Sequence, residues 1–223
     1  MTTTFTTSGC SLHGHPEVTV TFLEPPLIPD GERLILNHVE AAVARGTRFH
    51  AGETLAIGGH LLRFCERADG TLGVEEPEPA PKERWLEAVD RTVREVMLQK
   101  FVNESVGLEL AFAPPRTSLL VNRCAQDADA VVLTRRDPGS ASKGLSGWSL
   151  SCAEAHDHGE AFVLPLLALS ALKPDLVPFL ALPPETVAHV SSGPARVVFR
   201  DVARTPLEGS FLARRNERAA RKT

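Results

Sequence analysis

The feature that most constrains this fold is a stripe of apolar residues at helical spacing, set directly behind an acidic segment broken by prolines. Leu86, Val89, Val93, Val96, Met97 and Phe101 recur on one face of a helix predicted over residues 82–106. Glu87, Asp90, Arg91, Arg94 and Glu95 lie largely off that face, and Gly107 is a natural terminator. At about 1.5 to 3 kcal/mol for each large apolar side chain buried, such a stripe has to face a core. In front of it, Pro77, Pro79 and Pro81 stand among Glu75, Glu76 and Glu78. Proline fixes φ and the carboxylates repel one another, so residues 77–81 read as an extended connection. The expected organisation is an N-terminal α+β subdomain over 1–76, the connection, a C-terminal subdomain over 82–210 led by the long helix, and a disordered basic tail over 211–223.

Local patterns fill in both halves. Val18, Val20 and Phe22 alternate with Thr19 and Thr21, the period of a half-buried strand. Asp30 is a plausible N-cap for a helix carrying Leu34, Ile35, Val39, Ala42 and Val43, and Gly46 supplies its stop. Residues 52–75 read as β-rich, with turns at Gly58-Gly59 and Asp69-Gly70. Farther on, residues 118–121 and 130–134 suit adjacent strands joined by a turn at 126–129. A flexible segment opens at residues 135–140, and a strand end is expected at 147–150. Residues 162–172 read as helix with Pro165 in its first turn; residues 176–182 are apolar but irregular, and 187–199 form a closing hairpin. The sum is an α+β fold, mixed or antiparallel sheets packed against a few helices, in two subdomains.

With 43% apolar and 23% charged residues among 223, the chain has the composition of a soluble globular protein. Its most apolar run, over 161–172, falls short of the roughly 20 residues that cross a bilayer. The opening residues lack the basic start and apolar core of a secretion signal, so the cytoplasm is the expected compartment and no membrane partner is expected. Cysteines 10, 65, 124 and 152 are scattered without a CxxC pair and read as free thiols. Residues 211–223 hold five basic side chains against Glu217, a balance of +4, which leaves −8 for the rest of the chain. An acidic body attracts basic partners and repels nucleic acid, and the same excess also aids solubility.

The most reactive side chains crowd one polar loop, where Cys152, Glu154, His156, Asp157, His158 and Glu160 follow Trp148. Cys10, His13 and His15 make a second, smaller grouping. Thiolate and imidazole are zinc ligands, and two such groups could together fill a tetrahedral site. Neither spacing is that of a finger or ribbon, ordinary loop polarity is the simpler reading, and no metal or other cofactor is assigned. A cysteine beside histidines also suggests a thiol nucleophile, which leaves a metal- or thiol-dependent hydrolase using Cys152, His156 and His158 as the alternative function. No GxSxG, P-loop, HExxH or GxGxxG pattern is present, so no catalytic residue is assigned.

Several stretches together carry a family resemblance. Gly14-His15-Pro16-Glu17-Val18, then Leu36-Asn37, Gly46, Phe49 and Gly52-Glu53-Thr54, resemble the opening of bacterial polymorphic-toxin immunity proteins of the group catalogued as immunity protein thirty-three. Gln99, Glu104-Ser105-Val106-Gly107-Leu108, Arg135 or Arg136, Ser146-Gly147-Trp148, Cys152, His156-Asp157-His158 and Phe179-Leu180-Ala181-Leu182-Pro183 are similar to that group's C-terminal half. The resemblance spans residues 9–200 and makes 82–210 an immunity-type subdomain. It implies a cytoplasmic, non-enzymatic protector that binds a cognate toxin and blocks its active site. A basic nuclease is the expected toxin class, since a nuclease must approach phosphates and an acidic inhibitor gains association rate by steering. The expected partner-binding residues are Glu75, Glu76, Glu78, Trp148, Glu154, His156, Asp157, His158 and Glu160.

Overall fold

The alternation of threonine with larger apolar residues at 18–22 does form a strand, but one buried on both faces. In the computed structural model, which describes residues 2–26, 28–78, 84–137 and 144–221, this strand lies inside a mixed sheet. That sheet comprises β1 (Thr3–Thr6), β2 (Val18–Phe22), β3 (Thr54–Ile57), β4 (His60–Glu66), β5 (Leu72–Pro77) and β6 (Trp85–Leu86). Its order is β1-β2-β5-β4-β3, with β6 on β5, and only β2 and β5 run parallel. Thr19 escapes the cost of a buried hydroxyl by pairing with Thr6 at 2.9 Å and Thr71 at 3.1 Å. Helix α1 (Arg33–Ala44) packs on β2 and buries Ile35, Val39 and Val43; Gly46 ends it at φ 94°, where a side chain would be strained. Glu32 rather than Asp30 is its N-cap, and Asp30 takes a left-handed conformation at φ 57°.

The long helix, α2, spans Asp90–Ser105 and starts later than its apolar stripe predicts. Trp85 and Leu86 are drawn off as β6, pairing with Pro77 and Glu76 on β5. The helix then begins where its amides find acceptors: the buried Glu76 carboxylate takes N–H bonds from Arg91 at 3.1 Å and Thr92 at 2.7 Å. A carboxylate there also meets the positive end of the helix dipole. The chain divides into two compact units, Met1–Met97 and Leu98–Thr223. The division therefore falls inside α2 and not at the proline-rich connection. Of that connection, Pro77 belongs to β5, and residues 79–81 lie outside the described residues.

The second unit is built on β7 (Ser118–Asn122), β8 (Val131–Arg135), β9 (Leu145–Cys152), β10 (Ala161–Pro165), β11 (Thr186–Val190), β12 (Arg196–Phe199) and β13 (Val202–Arg204). Their order is β10-β7-β9-β8-β11-β12-β13, and only β7 and β9 run parallel. Thus β7 and β8, expected as neighbours, are separated by β9. Residues 162–172 are not one helix either. Phe162, Val163 and Leu164 pair with β7 as strand, and only past Pro165 does the chain coil, through a 3-10 turn into α3 (Leu169–Leu172). The residue before a proline is biased toward extended backbone, which favours this outcome.

The predicted flexible segment begins inside β8, and its residues 138–140 lie outside the described residues. The predicted tail is ordered as α4 (Phe211–Ala220), with Leu212 fully buried in the core formed by Val102, Leu119, Leu133, Leu150 and Phe179 among others. The whole is an α+β fold with two mixed sheets. Among the described residues no helix is long and apolar enough to cross a membrane.

The Ser-Gly-Trp motif is architectural. Between Ser118 and Leu120 the β7–β9 register shifts, and Gly147 accommodates the bulge at φ 82°. Ser146 Oγ donates to the Ser118 carbonyl at 2.8 Å, and its oxygen accepts the Trp148 N–H at 3.2 Å. Trp148 is 2% exposed, its indole N–H donates to the Leu180 carbonyl at 3.1 Å, and the Arg135 guanidinium sits 5.4 Å from its ring centroid. Arg135 itself is buried and donates to the Ala111 and Leu182 carbonyls; burial lowers it to about 10, which leaves it charged at neutral pH. Trp148 has no surface to offer a partner, and its expected binding role is corrected on that ground.

Candidate metal centre

Strand β9 alternates inward and outward, and the inward set of Ser146, Trp148 and Leu150 continues to Cys152 at its C-terminal end. There Cys152 pairs with Val131, and the Ala153 N–H donates to the Ala130 carbonyl at 2.9 Å. Because β7 runs parallel to β9, its C-terminal end arrives on the same side and turns through a 3-10 segment, Arg123–Ala125, that carries Cys124. Strand β10 lies beyond β7, starting where Ala161 pairs with Asn122. Residues 153–160 must therefore cross the end of β7 to connect β9 with β10. The crossing sets His156 and His158 over Cys124.

One ligand atom from each of Cys124, Cys152, His156 and His158 lies within 4.8 Å of all the others. His158 Nδ1 is 3.3 Å from Cys124 Sγ and 3.5 Å from Cys152 Sγ, while His156 Nε2 is 2.9 Å from Cys152 Sγ. The His156 Nδ1 lies 2.7 Å from the Asp157 carbonyl and donates to it. That bond places the proton on Nδ1 and turns the Nε2 lone pair toward the sulfurs, the arrangement of a metal-ligating histidine held by a carbonyl. Gly159, at φ 64°, donates its N–H to the Asp157 carboxylate at 3.0 Å and reverses the loop. Burial, together with the neighbouring Cys124, raises the Cys152 thiol above its ordinary value. Among the described residues this is the only gathering of three or more such donors.

The structure places the other expected site residues elsewhere. Glu75 on β5 faces its cross-strand neighbour Arg63, whose Nε donates at 2.8 Å and whose guanidinium lies 4.5 Å from the Trp85 ring centroid. Glu76 is the buried helix cap, and Glu78 is 3.7 Å from Arg84. These three acids are engaged within the first unit, Glu76 by burial and Glu75 and Glu78 by partly exposed arginines. Glu154, Asp157 and Glu160 are exposed. Among the described residues Cys10, His13 and His15 do not gather as a ligand set: His15 Nε2 accepts the Phe49 N–H at 3.0 Å, and its Nδ1 lies 2.6 Å from the Pro16 carbonyl. The fourth donor, Cys124, was missed because nothing near it in sequence marks it; only the order of the strands brings it to the loop.

A groove of about 280 Å³ in the first unit is lined by Phe22, Pro25, Pro26, Ile28, Leu86 and Val93. Of the three acids on its wall, Glu24, Glu76 and Asp90, the last two are bonded to backbone N–H groups and are not aimed at a ligand. No protein-family model, no curated protein and no solved structure matches this chain.

Proposed function

We propose that this is an immunity-type inhibitor, a cytoplasmic binding protein that neutralises a cognate bacterial toxin by occupying its active site, with no catalytic step of its own. The observation that carries the reading is the acidic end of the second sheet. Glu154, Asp157 and Glu160 are exposed on the crossing loop, and Asp127 and Asp129 are exposed in the turn that precedes β8 and bonds to that loop. Arg123 is the exposed cation among them. Carboxylates displayed on a loop between two strands suit a basic partner, and a basic nuclease is the toxin class they favour.

The second reading, a thiol- or metal-dependent hydrolase, is favoured by the 2.9 Å contact between Cys152 and His156. It has less support. A nucleophilic cysteine needs a lowered thiol pKa, whereas that of Cys152 is raised. Four protein donors also leave a metal no open position for water.

The test is to search the genes flanking this one for a secreted effector and to titrate any found calorimetrically, at low and at high salt; flanking genes with no such effector count against the proposal. The expected result is a one-to-one complex in which the toxin is inactive. Affinity should fall as salt rises, and the triple variant E154K/D157K/E160K should lose roughly tenfold or more. Absence of any complex, or binding indifferent to both salt and the charge reversals, refutes the proposal. Turnover abolished in H156A would favour the hydrolase.

A further inference from the structure

We propose that Cys124, Cys152, His156 and His158 form a closed, structural zinc site that clamps the 153–160 loop onto the turn after β7. A tetrahedral Zn²⁺ bound to sulfur at about 2.3 Å and nitrogen at about 2.0 Å needs sulfur and nitrogen donors roughly 3.5 Å apart. The two separations to His158 Nδ1, 3.3 and 3.5 Å, meet that requirement. The His156 contact, 2.9 Å, has to open by roughly half an ångström, a small rotation for an exposed side chain on a loop. Two thiolates and two imidazoles in a tetrahedron suit Zn²⁺ over the hard cations, which prefer oxygen.

The donors come from three different places: the 3-10 turn after β7, the last residue of β9, and the loop itself. No two adjacent strands in the sheet are asked to move, because their ends already stand side by side. Binding releases the two thiol protons to solvent, so the +2 ion and two thiolates make a neutral centre. With all four positions taken by protein, the metal braces the loop and does not activate water. The inference stands whether or not this loop docks a toxin.

The experiment begins with full-length protein stripped by a chelator, confirmed to be folded by circular dichroism, and titrated with Zn²⁺ and separately with Co²⁺. The expected uptake is about one ion per chain, with a tetrahedral cobalt spectrum carrying a thiolate charge-transfer band. C124S and C152S should each weaken that band, and C65S should leave it unchanged. Zinc should also slow cleavage at Glu154 and Glu160 by a glutamate-specific protease, by about tenfold. Folded wild-type protein that takes up no stoichiometric metal overturns the proposal. So does an undiminished thiolate band in C124S, or a Cys124–Cys152 disulfide in protein purified with no reductant.

Discussion

His60 and Glu17 are two titratable residues whose fold-imposed shifts have different origins and pH windows that overlap only in part. The His60 side chain is only 10% exposed, its Nε2 3.5 Å from the Glu95 carboxylate. Burial, and then the nearby Arg91 cation, push it down to about 3, so it is neutral at pH 7 and the contact with Glu95 is not an ion pair. A histidine kept neutral in the fold gains its proton in the unfolded chain first. Its contribution is therefore complete above about 6.5 and is lost as pH falls toward 3. Burial also opposes ionisation of Glu17, but the Thr7 hydroxyl and the Ser11 and Cys10 N–H groups outweigh it and lower the carboxyl to about 2. That contribution is lost between 4.5 and 2. Denaturant titrations across pH should show H60Q flattening the slope below pH 6.5 by about tenfold in the unfolding constant per pH unit, and E17Q altering only the more acid window. Equal slopes in H60Q and wild type between pH 6 and 5 would contradict the assignment. Gly147 offers a conformational counterpart: at φ 82° an added methyl is strained, so G147A should cost about 1 to 2 kcal/mol in a thermal melt.

At the scale of elements, α4 is the helix whose composition most misleads. Its exposed Arg214 and Arg218 resemble a solvated tail, and its buried face holds only Leu212 and Ala219, too few residues to declare a period. It is anchored by single bonds to distant parts of the second unit. The Leu212 N–H donates to Ser105 Oγ at 3.1 Å, and the Asn216 side chain pairs with both the N–H and the carbonyl of Ala195, at 2.8 and 2.9 Å. N216A leaves two backbone groups without their partner and should destabilise by about 1 to 3 kcal/mol. L212A should cost about 2 to 5 kcal/mol through the cavity it opens. Chemical denaturation measures both, and a change within about 0.5 kcal/mol for L212A would mean the helix is not docked.

On the scale of the whole molecule, what was legible in the sequence follows the range of the interactions. Elements governed by neighbours in the chain appear where periodicity and turn chemistry place them, among them α1, the β3–β4 hairpin with its Gly58-Gly59 turn, and the β11–β12 hairpin. Features decided by distant partners were not legible. The insertion of β9 between β7 and β8, the capture of Trp85 and Leu86 by β5, and the arrival of Cys124 at the histidines each depend on pairing that local pattern does not encode. The candidate site was half visible: Cys152, His156 and His158 announce themselves as a group, and their fourth member does not. Many residues behind the family resemblance turn out to hold the second unit together. The side chains of Gln99, Ser105, Arg135, Ser146 and Trp148 all bond to backbone in the interior, that of Arg135 to the Leu182 carbonyl. They therefore speak to architecture, and the case for an inhibitor rests on the acidic loops.

The seating of α4 also matters to anyone handling the gene. A stop codon placed before residue 211 would look harmless in a tally of charges, yet it would strip a plug from the hydrophobic interior and expose Phe101 and Phe179, the rings that Phe211 and Arg215 now cover. A reporter joined behind the exposed Arg221 would leave that plug in place.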